Sequence, residues 1–156
     1  MGGGHTLTPL LHTAYDWDVA ARTLFGEARG EPLEGLIAVA WTIRNRVERP
    51  SWWGHTVAEV CQKKAQFSCW NMEDPNREII LTVQKDNPPF RICQAVITYV
   101  FAGYHPDPTQ GATHYFTSAK PVWATVWPPI WAEMMTQTAV VGSHLFYREL
   151  QPEEQA

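Results

Sequence analysis

The chain lacks the features that mark several large classes of protein. Asp and Glu outnumber Lys and Arg by 16 to 12, so the basic surface of a general nucleic-acid binder is missing. No stretch approaches the roughly 18 apolar residues that a membrane-spanning helix needs. Residues 1–6 carry neither the basic nor the apolar segment of a secretory signal peptide. We therefore expect no nucleic-acid partner, no stable membrane insertion and synthesis in the cytoplasm.

Cysteine is also scarce. Only Cys61, Cys69 and Cys93 are present, and an odd number without an export signal indicates reduced thiols. They lack the paired C-x-x-C spacing of a zinc site, and the six histidines include no H-E-x-x-H motif. The sequence therefore predicts no metal and no cofactor.

The length and composition fit one soluble globular domain. A chain of 156 residues with 45% hydrophobic and 18% charged residues can bury a core without disulfides. Residues 1–14 include three adjacent glycines and no periodicity, so we interpret them as a flexible lead-in. We expect the catalytic domain at residues 15–150, a C-terminal tail at 151–156, and a monomer.

Helix signals dominate the first two thirds. The first apolar stripe has helical spacing and consists of Trp17, Ala20, Ala21, Leu24 and Phe25. Asp16 is its expected N-cap, and Gly26 falls at its end, which places Glu27 in the last turn or just beyond. Pro32 suits the first position of a second helix.

Later segments predict further helices and then strands. A capping box at residues 56–59 begins a short helix, Asp74 followed by proline caps another, and Asn87 followed by proline begins a longer one. The segments 112–117 and 138–147 carry β-branched and aromatic residues in short runs, which favours strands. The fold class is therefore mainly α within the α+β class, with a small β element late in the chain.

Glu27 stands where one apolar helix ends and another begins. A carboxyl group desolvated between apolar helices stays protonated near neutral pH, as the general acid of glycosidic cleavage must. By itself, however, a glutamate at a helix junction is more often a solvated or capping residue. The position alone leaves the function open.

Four motifs carry a resemblance to a known family. They occur in the family's order, span about residues 17–148, and are Phe25–Pro32, Gln66–Asn71, Gly111–Tyr115 and Gly142–Phe146. In these motifs the chain resembles the cell wall hydrolase family of the spore cortex-lytic enzymes SleB and CwlJ. The resemblance implies a lysozyme-like fold related to lytic transglycosylases, and bacterial peptidoglycan as the substrate.

The same resemblance implies a role for Glu27. It would protonate the oxygen that joins N-acetylmuramic acid to N-acetylglucosamine, and the muramoyl C6 hydroxyl would then attack to leave an anhydro end. The alternative is a hydrolysing muramidase with a second carboxylate. Glu31 is the nearest candidate in sequence, although Pro32 disfavours helical geometry there.

Further residues are expected to bind the substrate, namely Glu31, Gln66, Ser68, His114 and Tyr115. All of them except Tyr115 have a structural alternative. Glu31 would orient Arg29 or the start of the second helix, the two loop residues would close their own loop, and His114 would be a structural histidine. We expect Arg29 itself to pair with a carboxylate.

Other functions remain open at this point. A zinc amidase, a cysteine peptidase using Cys69 with His114, and a tryptophan-rich wall-binding module without catalysis would all act on the same wall. A chain without a signal peptide fits a phage-type endolysin that is released to the wall, and a bacterial or prophage-borne lysis protein is equally compatible.

Overall fold

The computed structural model describes residues 12–64, 66–122 and 124–150. In this part of the chain five helices precede three strands, and the elements are α1 Ala14–Ala28, α2 Leu33–Glu48, α3 Val57–Gln62, α4 Pro75–Thr82, α5 Pro88–Phe101, β1 His114–Thr117, β2 Met135–Val141 and β3 His144–Glu149. Short 3-10 helices lie at Ser68–Trp70 and Ile130–Met134. The mainly helical α+β prediction is confirmed.

Helix α1 starts earlier than the sequence predicted. Thr13 is the N-cap, and its side chain accepts from the backbone of Asp16, whose carboxylate reaches back to Thr13 N at 2.9 Å. The prediction of Asp16 as N-cap was therefore wrong, because it occupies the third helical position of a capping box. Its second oxygen accepts from Ala58 N of α3 at 3.0 Å. Residues 1–11 and 151–156, the bulk of the expected lead-in and the whole tail, lie outside the described residues.

Helix α2 is the centre of the helical part. Residues 35–43 and 45–47 are all buried, and α2 packs against α1, α3 and α5. Pro32 serves as the N-cap and not as the first helical residue, a shift of one position from the prediction. A helix buried on every side fixes its neighbours, so both ends of the α1–α2 turn are held in place.

The caps of the shorter helices follow the sequence. Thr56 and Glu59 form the expected capping box of α3. Asp74 caps α4 and Asn87 caps α5, each followed by proline at the first helical position. Gly103, with φ 82°, ends α5, a conformation that favours glycine. No helix in the described ranges is long and apolar enough to cross a membrane.

The strands form one antiparallel sheet in the order β1-β3-β2. The segment 138–147, predicted to form strand, is part of a hairpin that begins earlier, at Met135, and turns at Gly142 and Ser143. Gly142 has φ 58°, which suits a two-residue hairpin turn. β-branched and aromatic residues signalled extended structure correctly, but β2 starts three residues before the predicted segment.

Candidate active site

Glu27 lies in the last turn of α1, half-buried, where α1, the 3-10 helix at Ser68–Trp70 and β1 meet. Its Oε1 accepts a hydrogen bond from the Tyr115 hydroxyl at 2.6 Å. Its Oε2 accepts one from the backbone N–H of Cys69 at 3.1 Å. Two donors from two other elements therefore fix the orientation of this carboxyl group.

Gly26 explains how the 3-10 helix comes so close to α1. A Cβ atom at residue 26 would lie 2.7 Å from Cys69 Cβ and 2.8 Å from Ile80 Cγ2. Both distances are shorter than packed carbon atoms allow. The glycine was expected to end the helix, but it lies inside α1 and makes room for the segment that donates to Glu27.

Tyr115 reaches Glu27 from β1 with its ring packed against two neighbours on β3. Its ring centroid lies 4.9 Å from that of His144 and 5.7 Å from that of Phe146. Burial, the negative charge of Glu27 and the hydrogen bond to it raise the pKa of Tyr115 well above 10. The phenol therefore stays protonated and remains a donor to Glu27.

Arg46 is a buried cation beneath this site that the sequence interpretation did not single out. It is 4% exposed, and its guanidinium lies 5.6 Å from the ring centroid of Trp53 and 4.8 Å from that of Phe67. Nε donates to Thr113 O at 2.7 Å, which anchors the residue before β1. Arg46 falls three residues after Ile43, beside the apolar stripe of α2, and this spacing was the signal available in the sequence.

Charge links Arg46 to the same site. Burial lowers the pKa of the Arg46 guanidinium, and the nearby Tyr115, Cys61 and Glu27 act in the opposite direction. An arginine stays charged under all ordinary conditions. A fixed positive charge therefore lies near enough to Glu27 for the two groups to interact electrostatically.

The two loop residues expected to bind substrate lie beside the Glu27 contact. Gln66 is half-buried and accepts from Arg46 Nη1 at 3.4 Å, so its side chain joins the loop to α2. Ser68 is exposed and begins the 3-10 helix that carries Cys69. Of the two, Ser68 has the more accessible side chain.

His114 is not brought to Glu27 by its strand. Successive side chains of a strand point to opposite faces, and His114 faces Trp131, at 5.2 Å between ring centroids, and Trp53, at 6.1 Å. Burial, followed by the charge of Arg46, lowers the pKa of His114 to about 4. The ring is therefore neutral near pH 7, and its place suits the structural alternative.

Glu31 lies in the turn between α1 and α2 and points to the β2–β3 hairpin. Its carboxylate accepts from Ser143 N at 3.0 Å and from Ser143 Oγ at 2.6 Å. Among the described residues Arg29 pairs neither with Glu31 nor with another carboxylate, so the expected ion pair is not found there. Arg29 donates instead to Asn76 Oδ1 at 2.9 Å and to Phe25 O at 3.1 Å.

The three thiols are buried and free. Burial raises the pKa of Cys61 and of Cys93 to about 12. Burial and the neighbouring Glu27 raise the pKa of Cys69 further. A nucleophilic cysteine needs a lowered pKa, so this environment disfavours cysteine peptidase chemistry at Cys69.

Zinc amidase chemistry also lacks a ligand set in the part of the chain that the structure covers. No three His, Cys, Asp or Glu side chains there come together to hold a metal ion. A catalytic zinc site takes three such ligands. Glu27, held by its two donors, therefore remains the candidate catalytic group.

Comparison with known sequences identifies relatives. The cell wall hydrolase family is matched over residues 30–147. The spore cortex-lytic enzyme of Bacillus subtilis is 30% identical over 131 residues, and that of Halalkalibacterium halodurans is 27% identical over 141 residues. These alignments cover 84% and 90% of this chain but 37% of each relative. The chain thus spans little more than a third of the length of these relatives.

Solved structures show the same fold. The catalytic domain of the Bacillus cereus SleB protein superposes with a TM-score of 0.69 at 26% identity, covering 94% of this chain and 100% of that domain. The catalytic domain of the germination-specific lytic transglycosylase SleB from Bacillus anthracis gives 0.67 at 25% identity, covering 88% and 98%. The predicted lysozyme-like fold is confirmed. The family match begins three residues after Glu27, so the assignment of Glu27 rests on its contacts and its motif. By sequence over most of its length and by fold, the chain belongs to the cell wall hydrolase family.

Proposed function

We propose that this chain cleaves peptidoglycan glycan strands between N-acetylmuramic acid and N-acetylglucosamine as a lytic transglycosylase. Glu27 acts as the acid and then as the base. The observation that carries the proposal is the carboxyl group of Glu27, held by Tyr115 and by the backbone of Cys69. The relative named as a lytic transglycosylase shares the fold of this chain.

The reaction needs one protein carboxyl group. Glu27 donates its proton to the glycosidic oxygen, so N-acetylglucosamine leaves with a free 4-hydroxyl while the muramoyl acetamido oxygen bonds to C1. The Glu27 carboxylate then takes the proton of the muramoyl C6 hydroxyl, whose oxygen displaces the acetamido group from C1. The product is a 1,6-anhydro end, no water is consumed, and Glu27 is protonated again. Substrate assistance of this kind replaces the usual second carboxylate.

The hydrogen bonds of Glu27 fit both halves of this cycle. Each carboxyl oxygen has two acceptor positions, and the contacts with Tyr115 and Cys69 N occupy one position on each oxygen. A remaining position can carry the proton that passes to the substrate. After that transfer the same two donors stabilise the carboxylate.

The hydrolysing alternative would need a second carboxylate to activate a water molecule, and Glu31 is the nearest candidate in sequence. Both Glu31 oxygens accept hydrogen bonds from Ser143, which favours the single-carboxylate route. Ser68 and Tyr115 lie beside Glu27 and are the proposed substrate contacts, whereas the contacts of Gln66 with Arg46 and of His114 with Trp131 favour structural roles. We propose residues 15–150 as the catalytic domain, which acts as a monomer at the bacterial wall. The proposed biological role is that of an endolysin.

Mass analysis of fragments released from purified peptidoglycan tests this function. Wild type should release anhydro-muramoyl ends, Glu27→Gln should release none, and Cys69→Ser should retain the wild-type products. Reducing muramic acid ends would establish a muramidase instead. Intact glycan strands with wild type, or full activity in Glu27→Gln, would overturn the proposal. Wall binding without cleavage by wild type would support a binding module.

A further inference from the structure

The carboxylate of Glu31 is enclosed by the hairpin turn. Its side chain is 16% exposed, and Ser143 donates to it through both its backbone N–H and its hydroxyl, at 3.0 and 2.6 Å. The two residues are 112 positions apart. One side chain therefore ties the α1–α2 turn, just after Glu27, to the far end of the sheet.

Two glycines make room for this carboxylate. A Cβ atom at Gly35 would lie 2.9 Å from Glu31 Cβ and 3.1 Å from Oε1. A Cβ atom at Gly142 would collide with the same Oε1. Both glycines therefore shape a receptacle for Glu31, one from the first turn of α2 and one from the hairpin.

The hairpin leads back to Glu27 through the sheet. Strand β3 begins at His144, directly after Ser143, and its Phe146 pairs with Tyr115 of β1. The His144 ring also meets the Tyr115 ring at 4.9 Å. A shift of the hairpin turn would therefore move Tyr115, whose hydroxyl lies 2.6 Å from Glu27 Oε1.

The hydrogen bonds from Ser143 keep Glu31 ionised. Partial burial raises the pKa of Glu31, but the two hydrogen bonds from Ser143 and the nearby His144 bring it below its ordinary value. His144 Nδ1 lies 3.8 Å from Glu31 Oε1, and burial lowers the pKa of this histidine. Near neutral pH the contact between the α1–α2 turn and the hairpin therefore consists of an ionised Glu31 and the two donors of Ser143.

We infer that Glu31 is a positioning residue, which clamps the β2–β3 hairpin and thereby holds Tyr115 against Glu27. This inference rests on the proposed function and deepens it, because it removes Glu31 from direct contact with the reacting atoms. The glycan then meets a single protein carboxyl group.

Kinetics of Glu31→Gln and Ser143→Ala on soluble glycan strands test the clamp. Glutamine keeps the size of Glu31 but loses its charge and one acceptor, and alanine removes one donor. Each variant should lower kcat roughly tenfold, as expected for one charge-assisted hydrogen bond, with KM within about twofold of wild type. The double variant should be no worse than the worse single one, since both remove the same contact. Glu133→Gln, an exposed carboxylate, serves as the matched control.

Product ends and the fold complete the test. The variants should still make anhydro ends, and azide should not restore activity to Glu31→Gln. The clamp would be overturned if Glu31→Gln lost as much activity as Glu27→Gln while Ser143→Ala kept wild-type activity. Rescue by azide, a raised KM with unchanged kcat, or wild-type kcat in the variants would also overturn it. If Glu31→Gln fails to fold, Ser143→Ala decides by the same kcat criterion. Glu27→Gln runs in parallel, and its full activity would refute the proposed function whatever Glu31 does.

Discussion

The Tyr115 hydroxyl donates to Glu27 Oε1 at 2.6 Å across 88 positions of sequence. This bond joins the last turn of a helix to the first strand of the sheet. Through this bond the sheet contacts the proposed catalytic carboxyl group directly. Four predictions test this arrangement and its surroundings.

Tyr115→Phe should keep the fold and lose activity. The ring stays packed, while a hydrogen bond to an ionisable group, worth about 1.5–3 kcal/mol, is removed. We expect kcat to fall roughly tenfold to a hundredfold, measured as release of anhydro ends. Tyr104→Phe is the control, since Tyr104 is 74% exposed. Equal rates for Tyr115→Phe and wild type would show that the phenol does not orient Glu27.

Gly26→Ala should be destabilising, although alanine favours a helix by about 1 kcal/mol. The new Cβ would displace Cys69 and Ile80, and overpacking of this kind costs about 1–3 kcal/mol. It should also weaken cleavage, because the Cys69 N–H would move away from Glu27. Gly30→Ala is the matched control, since a Cβ there meets nothing within 4 Å. Urea unfolding of both variants checks this, and equal stability would contradict it.

Arg46→Lys should cost about 1.5–3 kcal/mol of unfolding free energy despite the retained charge. A single ammonium group cannot reproduce the planar guanidinium contacts, which run to Thr113 O and Gln66 Oε1 at 2.7 and 3.4 Å. Arg91→Lys, at an exposed position, should change stability by less than about 0.5 kcal/mol. Denaturant titration measures both, and matching midpoints would refute a structural role for Arg46.

His114 should make the protein less stable in mild acid. Its pKa is about 4 in the folded chain against an ordinary value of 6.5, so the unfolded chain binds the extra proton between those values. The free energy of unfolding is therefore unaffected by this histidine above about pH 6.5 and decreases as the pH falls from there towards 4. One proton contributes at most about 1.4 kcal/mol per pH unit. Urea unfolding from pH 4.5 to 7.5 should show a shallower dependence in His114→Gln, and parallel curves would contradict this assignment.

The helical part of the fold followed from local signals. Thr56 with Glu59, Asp74 and Asn87 began helices where the capping rules predicted them, because a cap is a contact between near neighbours in sequence. Asp16 misled the same rule, since Thr13 three residues earlier provides the cap. The start of β2 at Met135 was placed three residues too late, because β propensity alone does not fix where a strand begins.

The candidate site divides in the same way. The motif around Glu27 and its place in the last turn of a helix were readable from the sequence, and so was Tyr115 as a residue of interest. The contact of Glu31 with Ser143 could not be predicted from the sequence, because the two residues lie 112 positions apart. The buried charge of Arg46 was also missed, since α2 shows its full burial only when α1, α3 and α5 surround it.

The sequence by itself determined the helices, the caps of α3, α4 and α5, the family motifs and the choice of Glu27, because these depend on residue type and short spacing. Tertiary structure alone decided which donors hold Glu27, that His114 faces away from it, and that Glu31 accepts hydrogen bonds from the hairpin. Those contacts join segments distant in sequence. Their distances are set by the packing of whole helices against the sheet, which local patterns do not encode.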